Sequence, residues 1–548
     1  MLIISQKRTE HKKNINYFSY AQIKTLLLEK KEIALLDVRE EAIFAEAHPL
    51  FAANLPYSRI EIEAYSRIPR LNTTIVIYDN GEGLAEKALS IFIKIGYSEV
   101  HLLKGGLKGW ELAGGEIFRD VNSPSKAFGE LVESKRHTPS LSAKEVKTLI
   151  DNQDDILIVD ARRFDEYQTM NIPTSQSVPG AELVLRVREL VQRPETKIIV
   201  NCAGRTRSII GTQSLINVNI PNQVFALRNG TIGWTLDGQA LEHGQNRKYT
   251  EVGTDIKQKA ITDSRKVASR AGVKRTNLLA VKQWLKERNR TSYCFDVRTN
   301  EEYEAGHLPD FWFVPGGQLV QETDHYAPVR GARIVLADNL EVRANMTASW
   351  LAQMGWEVYV IDYLTDELLT DTTTLPVKLP IPDSLPEIEA STITPETLVD
   401  WLNKQTNTIV IDFSLANQYI KGHIPGAWYA LRSQLNEAFE QFPEATRYVL
   451  TSTDQTLANY VFAGFKALTD KDVFVLSGGN QGWIENGYLF ETGDSPEKNH
   501  FASPLIDRYR RPYEGTDNPV KAMQDYLEWE YGLVDQLELD GTHGFYVI

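Results

Sequence analysis

The residues best suited to covalent chemistry are Cys202-Ala203-Gly204-Arg205-Thr206-Arg207-Ser208, a cysteine opening a short basic loop. The apolar run Ile198-Ile199-Val200 leads in and Ile209-Ile210 follows, which predicts a strand, a tight turn and a helix. Backbone N–H groups curled between a strand end and a helix start point at one centre and favour negative charge there. That field is expected to lower the thiol pKa and raise the thiolate fraction. Gly204 permits a curve that a side chain would obstruct. Arg205 and Arg207 add positive charge and directed donors, while Thr206 and Ser208 offer hydroxyls or cap the following helix. A thiolate so held suits covalent catalysis in two displacements. A cysteine at a strand end is ordinarily a small buried hydrophobe, and Cys294, inside Tyr293-Cys294-Phe295-Asp296, reads that way.

The elements that position the loop recur along the chain. Strand-like runs ending at Asp37, Asp160, Asp296 and Asp412 match one another, and the first three carry Arg39, Arg162 and Arg298 two residues later. These arginines are expected to hold their local aspartates or loop carbonyls, with Arg162 also bordering the pocket. A second strand ends at Asp79, Cys202, Asp338 and Ser452, at offsets of 42, 42, 42 and 40 residues. A GGxxGW-like turn closes three copies at Trp110, Trp234 and Trp483, and the third copy lacks it. Landmarks in fixed register are the signature of repeated units. Strands alternating with helices then predict α/β domains on mainly parallel sheets. Ser142 with Glu145 reads as a capping box opening a helix of the second unit.

The 548 residues exceed one ordinary core and suit several domains of roughly 100–200 residues each. A net charge of −14 argues against a general nucleic-acid or anionic-membrane binder. No apolar run reaches membrane-spanning length, and the first fourteen residues lack the order of a signal peptide. Two cysteines give no disulfide framework and fit a reducing, cytoplasmic setting. No CxxC, HExxH or full GxGxxG pattern occurs, so neither a metal nor a cofactor is expected.

In order and spacing these landmarks resemble the rhodanese family from about Phe18 to Leu489. The resemblance includes Gly422-His423-Ile424-Pro425-Gly426-Ala427 in the fourth copy and weaker forms in the others. It implies an α/β chain of four tandem rhodanese-like domains, each a mainly parallel sheet flanked by helices, plus an aromatic C-terminal extension. The expected divisions are domains at 18–118, 138–242, 276–370 and 392–490. A charged connector lies at 243–275, a linker at 371–391 and the extension at 499–548.

The family's catalytic cysteine matches Cys202, whereas Asp79, Asp338 and Ser452 stand at the equivalent places. The resemblance therefore implies one working domain and three that serve architecture or recognition. Cys202 would take the outer sulfur from thiosulfate or a similar small anionic donor and pass it to a thiol or cyanide. Ala203, Gly204, Arg205, Thr206, Arg207 and Ser208 would bind substrate, with Arg162, Glu182 and Arg186 around the pocket. A mercaptopyruvate sulfurtransferase, a non-catalytic scaffold or regulator, and a phosphatase or arsenate reductase remain alternatives. For the last, related loops place five residues between Cys and Arg, whereas four separate Cys202 from Arg207. Asp338 is expected to bond Arg343 or the loop amides and freeze an empty cradle. The extension, with Met523, Tyr526, Leu527 and Tyr531 on one helical face, is expected to clasp the domains, bind a partner or form a homo-oligomer interface.

Overall fold

A computed structural model describes residues 16–548 except 192, 374–377, 383, 493–498 and 515–517. The N-terminal segment read above for a signal peptide therefore lies outside the described residues. Four mainly parallel sheets follow one another along the chain, their common strands in the same order. In the second unit that order is Ser140–Leu141, Val224–Leu227, Lys197–Asn201, Ile156–Asp160 and Gln176–Ser177. The central strands are covered on both faces, as Ile33–Asp37 is at every residue, which accounts for apolar runs without alternation. The expected capping box is present: Ser142 caps the helix Ala143–Asp151 and Glu145 bonds back to it.

The Asp-x-Arg pairs are a repeated structural clamp. Arg162 donates to both oxygens of Asp160, at 2.9 and 2.7 Å, and to the Met170 carbonyl at 2.6 Å. Arg39 and Arg298 repeat this with Asp37 and Ala47, and with Asp296 and Gly306. Each guanidinium ties the end of a central strand to the loop eight residues on. Cys294 is core, buried on the strand Ser292–Asp296.

The connections hold more structure than their composition suggests. Residues 243–275, expected as a charged connector, contain the helix Thr254–Arg270, whose Ala260, Val267 and Ala268 are buried. The first strand of the third sheet, Lys274–Thr276, begins inside the same span. The linker 371–391 ends in the helix Leu385–Ala390. A strand from the third unit, Val329–Arg330, joins the first sheet antiparallel to Ile33–Asp37. His500–Phe501 adds to the fourth sheet beyond residue 490.

Between the first two units runs the helix Ser123–Arg136, buried along most of its length. The extension forms the helices Pro519–Tyr531 and Leu533–Asp540. Met523 and Leu527 pack on Ile232 of the second unit, and Leu533 and Leu537 join the large core containing residues of the first and third. Phe545 meets Phe51 and Phe128, and Tyr546 donates to the Ala271 carbonyl at 2.7 Å. The extension thus clasps three units together.

Candidate active site

Cys202 follows the strand Lys197–Asn201, and the helix Thr206–Asn217 begins four residues later. The strand pairs with Ile156–Asp160 so that Asn201 lies opposite Asp160, fixing where the loop departs. The GGxxGW-like turn holds the loop from the other side. Gly230, at φ +54°, lies so close to the Cys202 carbonyl that a side chain would collide with it. Thr231 and Ile232 donate their amides to the Cys202 and Ala203 carbonyls at 2.9 Å each. Gly106 and Gly479 make the same close approach to Asp79 and Ser452, so the motif is a clamp on the cradle.

The thiol is 2% exposed and donates to Ser208 Oγ at 3.5 Å, while Ser208 Oγ donates to the Arg205 carbonyl at 2.8 Å. Burial dominates its acidity. The Cys202 pKa is raised, not lowered as the loop's charges led one to expect; Arg207 and the Ser208 hydroxyl and amide offset only part of the desolvation.

The two loop arginines have different duties. Arg207 forks onto Glu166 at 2.7 and 2.9 Å beside the thiol and favours its anion. Arg205 forks onto Glu130 at 2.7 Å through each of two nitrogens, also reaches Glu133, and lies 4.2 Å from the Tyr531 ring centroid. At 4% exposure it fastens the loop to the helix Ser123–Arg136. The remaining pocket expectations also change. Arg162 is spent on its clamp, and Glu182 pairs with Arg186 at 2.8 Å and with Arg343 of the third unit at 3.2 Å. None of Arg162, Glu182 and Arg186 lines the cavity beside Cys202, because each is held by partners behind the loop or between units.

That cavity measures about 360 Å³, and its walls come from across the chain. Ala203, Gly204, Arg205, Thr206 and Arg207 line it, whereas Ser208 acts on the thiol from below. Lys126 and Glu41 come from the first unit and the helix after it, Gln321 and Glu322 from the third, and Arg508, Arg511, Tyr526 and Glu530 from the extension. Sequence reasoning missed these walls. A basic and aromatic cluster after the fourth unit was visible, but no period connects it to Cys202.

Six basic side chains, Lys126, Arg163, Arg205, Arg207, Arg508 and Arg511, face four carboxyls in that lining. Burial pushes two of the carboxyls up, Glu41 to about 7 and Glu530 to about 8. Lys126 and Arg205 are neutralised by Asp120 and Glu130 behind the lining. With Glu530 mostly protonated and Glu41 about half so near pH 7, Arg163, Arg207, Arg508 and Arg511 outnumber the charged carboxyls, which suits a small anion. Among the described residues no cluster of His, Cys, Asp and Glu is arranged to hold a metal ion.

The sibling cradles show what the loop amides do. Asp338 accepts from the Arg343 amide at 2.8 Å and the Ala344 amide at 3.3 Å, and its other oxygen takes the Arg343 guanidinium at 2.8 Å. Asp79 accepts from the Leu84 and Ala85 amides at 2.7 and 3.0 Å, and Ser452 Oγ from the Ala458 amide at 3.2 Å. Counted from the cradle residue, these amides correspond to Arg207 and Ser208. In the third unit a carboxylate fills the anion place and closes the cradle as expected, and Asp79 does the same in the first; in the second a sulfur stands there.

A family model for the rhodanese-like domain matches residues 19–113, 142–237, 280–363 and 394–486. The crystal structure of a thiosulfate sulfurtransferase from Pseudomonas aeruginosa is 58% identical in sequence. It covers 97% of this chain and 100% of its own, with a TM-score of 0.93. The BH2092 protein of Bacillus halodurans is 20% identical, covering 20% of this chain and 81% of its own, with a TM-score of 0.18. An uncharacterized protein of Buchnera aphidicola is 22% identical over 82 residues, 14% of this chain; the match spans 55% of that relative's length.

Proposed function

This chain belongs to the rhodanese-like domain family, and from that premise we propose that it is a thiosulfate sulfurtransferase working through a persulfide on Cys202. The observation that supports the reading most is the single sulfur in a fourfold-repeated cradle whose first and third copies are filled by their own carboxylates. The 58% identity to a thiosulfate sulfurtransferase along nearly the whole chain adds to it.

In the first displacement the Cys202 thiol gives its proton to solvent and the thiolate attacks the outer sulfur of thiosulfate. The new Cys202–sulfur bond forms as the thiosulfate S–S bond breaks, and sulfite leaves with the electron pair. The outer persulfide sulfur is held by the Arg207 and Ser208 amides, which occupy the place of those bound to Asp338. Arg207, held in position by Glu166, supplies charge next to it. In the second displacement cyanide or a thiolate takes the outer sulfur, and the electron pair of the broken S–S bond returns to Cys202.

A mass gain of one sulfur on the peptide carrying Cys202 after exposure to thiosulfate tests this reading. No gain with any sulfane donor would overturn it. The free thiol this chemistry needs is kept in a reducing compartment such as the cytoplasm, and no helix among the described residues is long and apolar enough to cross a membrane. A homo-oligomer through the extension would use its outer face, where Tyr531 and Leu539 are exposed, since Met523, Leu527 and Leu533 are buried within the chain.

A further inference from the structure

Glu530 sits on the helix Pro519–Tyr531, 328 positions along the chain from Cys202, yet both line the same cavity. The side chain is 1% exposed. Its Oε1 accepts from the Tyr526 hydroxyl at 2.8 Å, while Oε2 is buried with no hydrogen-bond partner. Oε2 faces the loop: a Cβ built on Gly204 would lie 3.3 Å from it. A buried oxygen left unpaired is unfavourable, so its placement at a ligand cavity asks for a ligand.

The surroundings decide which form of the acid is present. Lys126 and Glu130 face it from the helix Ser123–Arg136, Arg205 and Cys202 from the loop, Tyr526 from its own helix and Tyr509 from the segment before it. Lys126 is paired with Asp120 at 2.5 Å, and Arg205 with Glu130 at 2.7 Å. With both cations engaged, burial and the nearby Glu130 charge prevail, and the carboxyl is pushed up to about 8. Near neutrality it is an acid whose O–H can donate, and a donor in a basic cavity complements an oxyanion.

Building on the sulfurtransferase reading, we propose that Glu530 is a substrate-binding residue of the Cys202 site, its Oε2–H donating to a sulfonyl oxygen of the thiosulfate-like donor while Tyr526 fixes Oε1. The bond persists on the departing sulfite as the S–S bond breaks, and the acid keeps its proton throughout. Gly204 matters for the same reason, since a side chain there would press on Tyr526 at 3.2 Å and on Oε2. The extension thereby supplies part of the donor's recognition in addition to clasping the units.

The test is the half-saturating thiosulfate concentration for sulfur loading of Cys202, read by intact mass from pH 6.5 to 9.5 in wild type, E530Q and E530A. In wild type it should rise as pH passes about 8, because the ionised acid loses its donor and repels the anion. E530Q keeps a donor that does not ionise, so it should stay near wild type at neutral pH and lose the rise. E530A should need about tenfold more thiosulfate at neutral pH, the cost of one hydrogen bond to a charged group. A wild-type rise that survives in E530Q would overturn the proposal, as would unchanged half-saturation in E530A. Should E530A fail to fold, the isosteric E530Q decides alone. Loading of wild type with these outcomes reversed sinks the role of Glu530 and leaves the sulfurtransferase reading standing; no loading of wild type at any pH sinks that reading itself.

Discussion

Asp338 and Arg343 close on each other at 2.8 Å with both side chains wholly buried, and the Arg343 amide binds the same carboxylate. The third cradle is thus occupied by its own acid. Arg343 also pairs with Glu302 and with Glu182 of the second unit, so one guanidinium holds the cradle and the contact between units. Arg343→Met would leave Asp338 and Glu182 buried without it. Breaking a buried pair from one side generally costs about 3–5 kcal/mol. A loss of that order in denaturant unfolding is expected, with Cys202 still loading sulfur in the folded fraction.

Arg205 provides the contrast between a binding and a fastening role. Arg205→Met removes the partner of Glu130, a residue only 4% exposed. The expected result is lost stability, again about 3–5 kcal/mol, with little change in the thiosulfate requirement of what remains folded. The sign with pH follows from Glu130, whose folded pKa lies above its ordinary 4.5 because of burial. Without Arg205 it rises further, so relative to wild type the penalty is absent below the wild-type folded pKa, grows as pH passes it and is full above the variant's still higher one. Unfolding measured at acidic and neutral pH checks this. A higher thiosulfate requirement with unchanged stability would contradict it.

The Cys202 thiol ionises late. Its raised pKa means that alkylation by iodoacetamide should climb beyond pH 9 instead of levelling off near neutrality. Arg207→Met removes the cation that favours the anion, and the profile should move further to alkaline pH. Cys294, pushed up to about 12 by burial, should stay silent, so peptide mapping separates the two.

The Cys202 loop and the four units were legible because both are written locally: a basic turn between a strand and a helix, and strand ends recurring at fixed offsets. The clamps at Asp37–Arg39, Asp160–Arg162 and Asp296–Arg298 were legible for the same reason, with partners two residues apart. The partners of Arg205 were not, since Glu130 lies 75 residues earlier on a helix outside every repeat. Nor was the thiol's raised pKa, because sequence shows the charges near a cysteine but not the water excluded around it. Glu530 was hidden doubly: it follows the last repeat, and its neighbours Tyr526, Leu527 and Tyr531 suggested a face that clasps the domains or meets a partner.

Gly204 is constrained by packing, with no left-handed φ required of it. Gly204→Ala places a methyl 3.2 Å from Tyr526 and 3.3 Å from Glu530. Overpacking of this kind generally costs about 1–3 kcal/mol, and here part of it should appear as weaker thiosulfate loading, since the displaced residues are walls of the cavity. Parallel measurement of unfolding and loading checks both halves.

The proposed reaction runs on one sulfur in four cradles. Intact-mass measurement after incubation with thiosulfate, followed by peptide mapping, tests it most directly. The expected result is a gain of one sulfur atom on the Cys202 peptide, reversed by cyanide with release of thiocyanate, and neither gain nor turnover in Cys202→Ser. Sulfur transfer that survives in Cys202→Ser, or a gain that maps to Cys294, would contradict it.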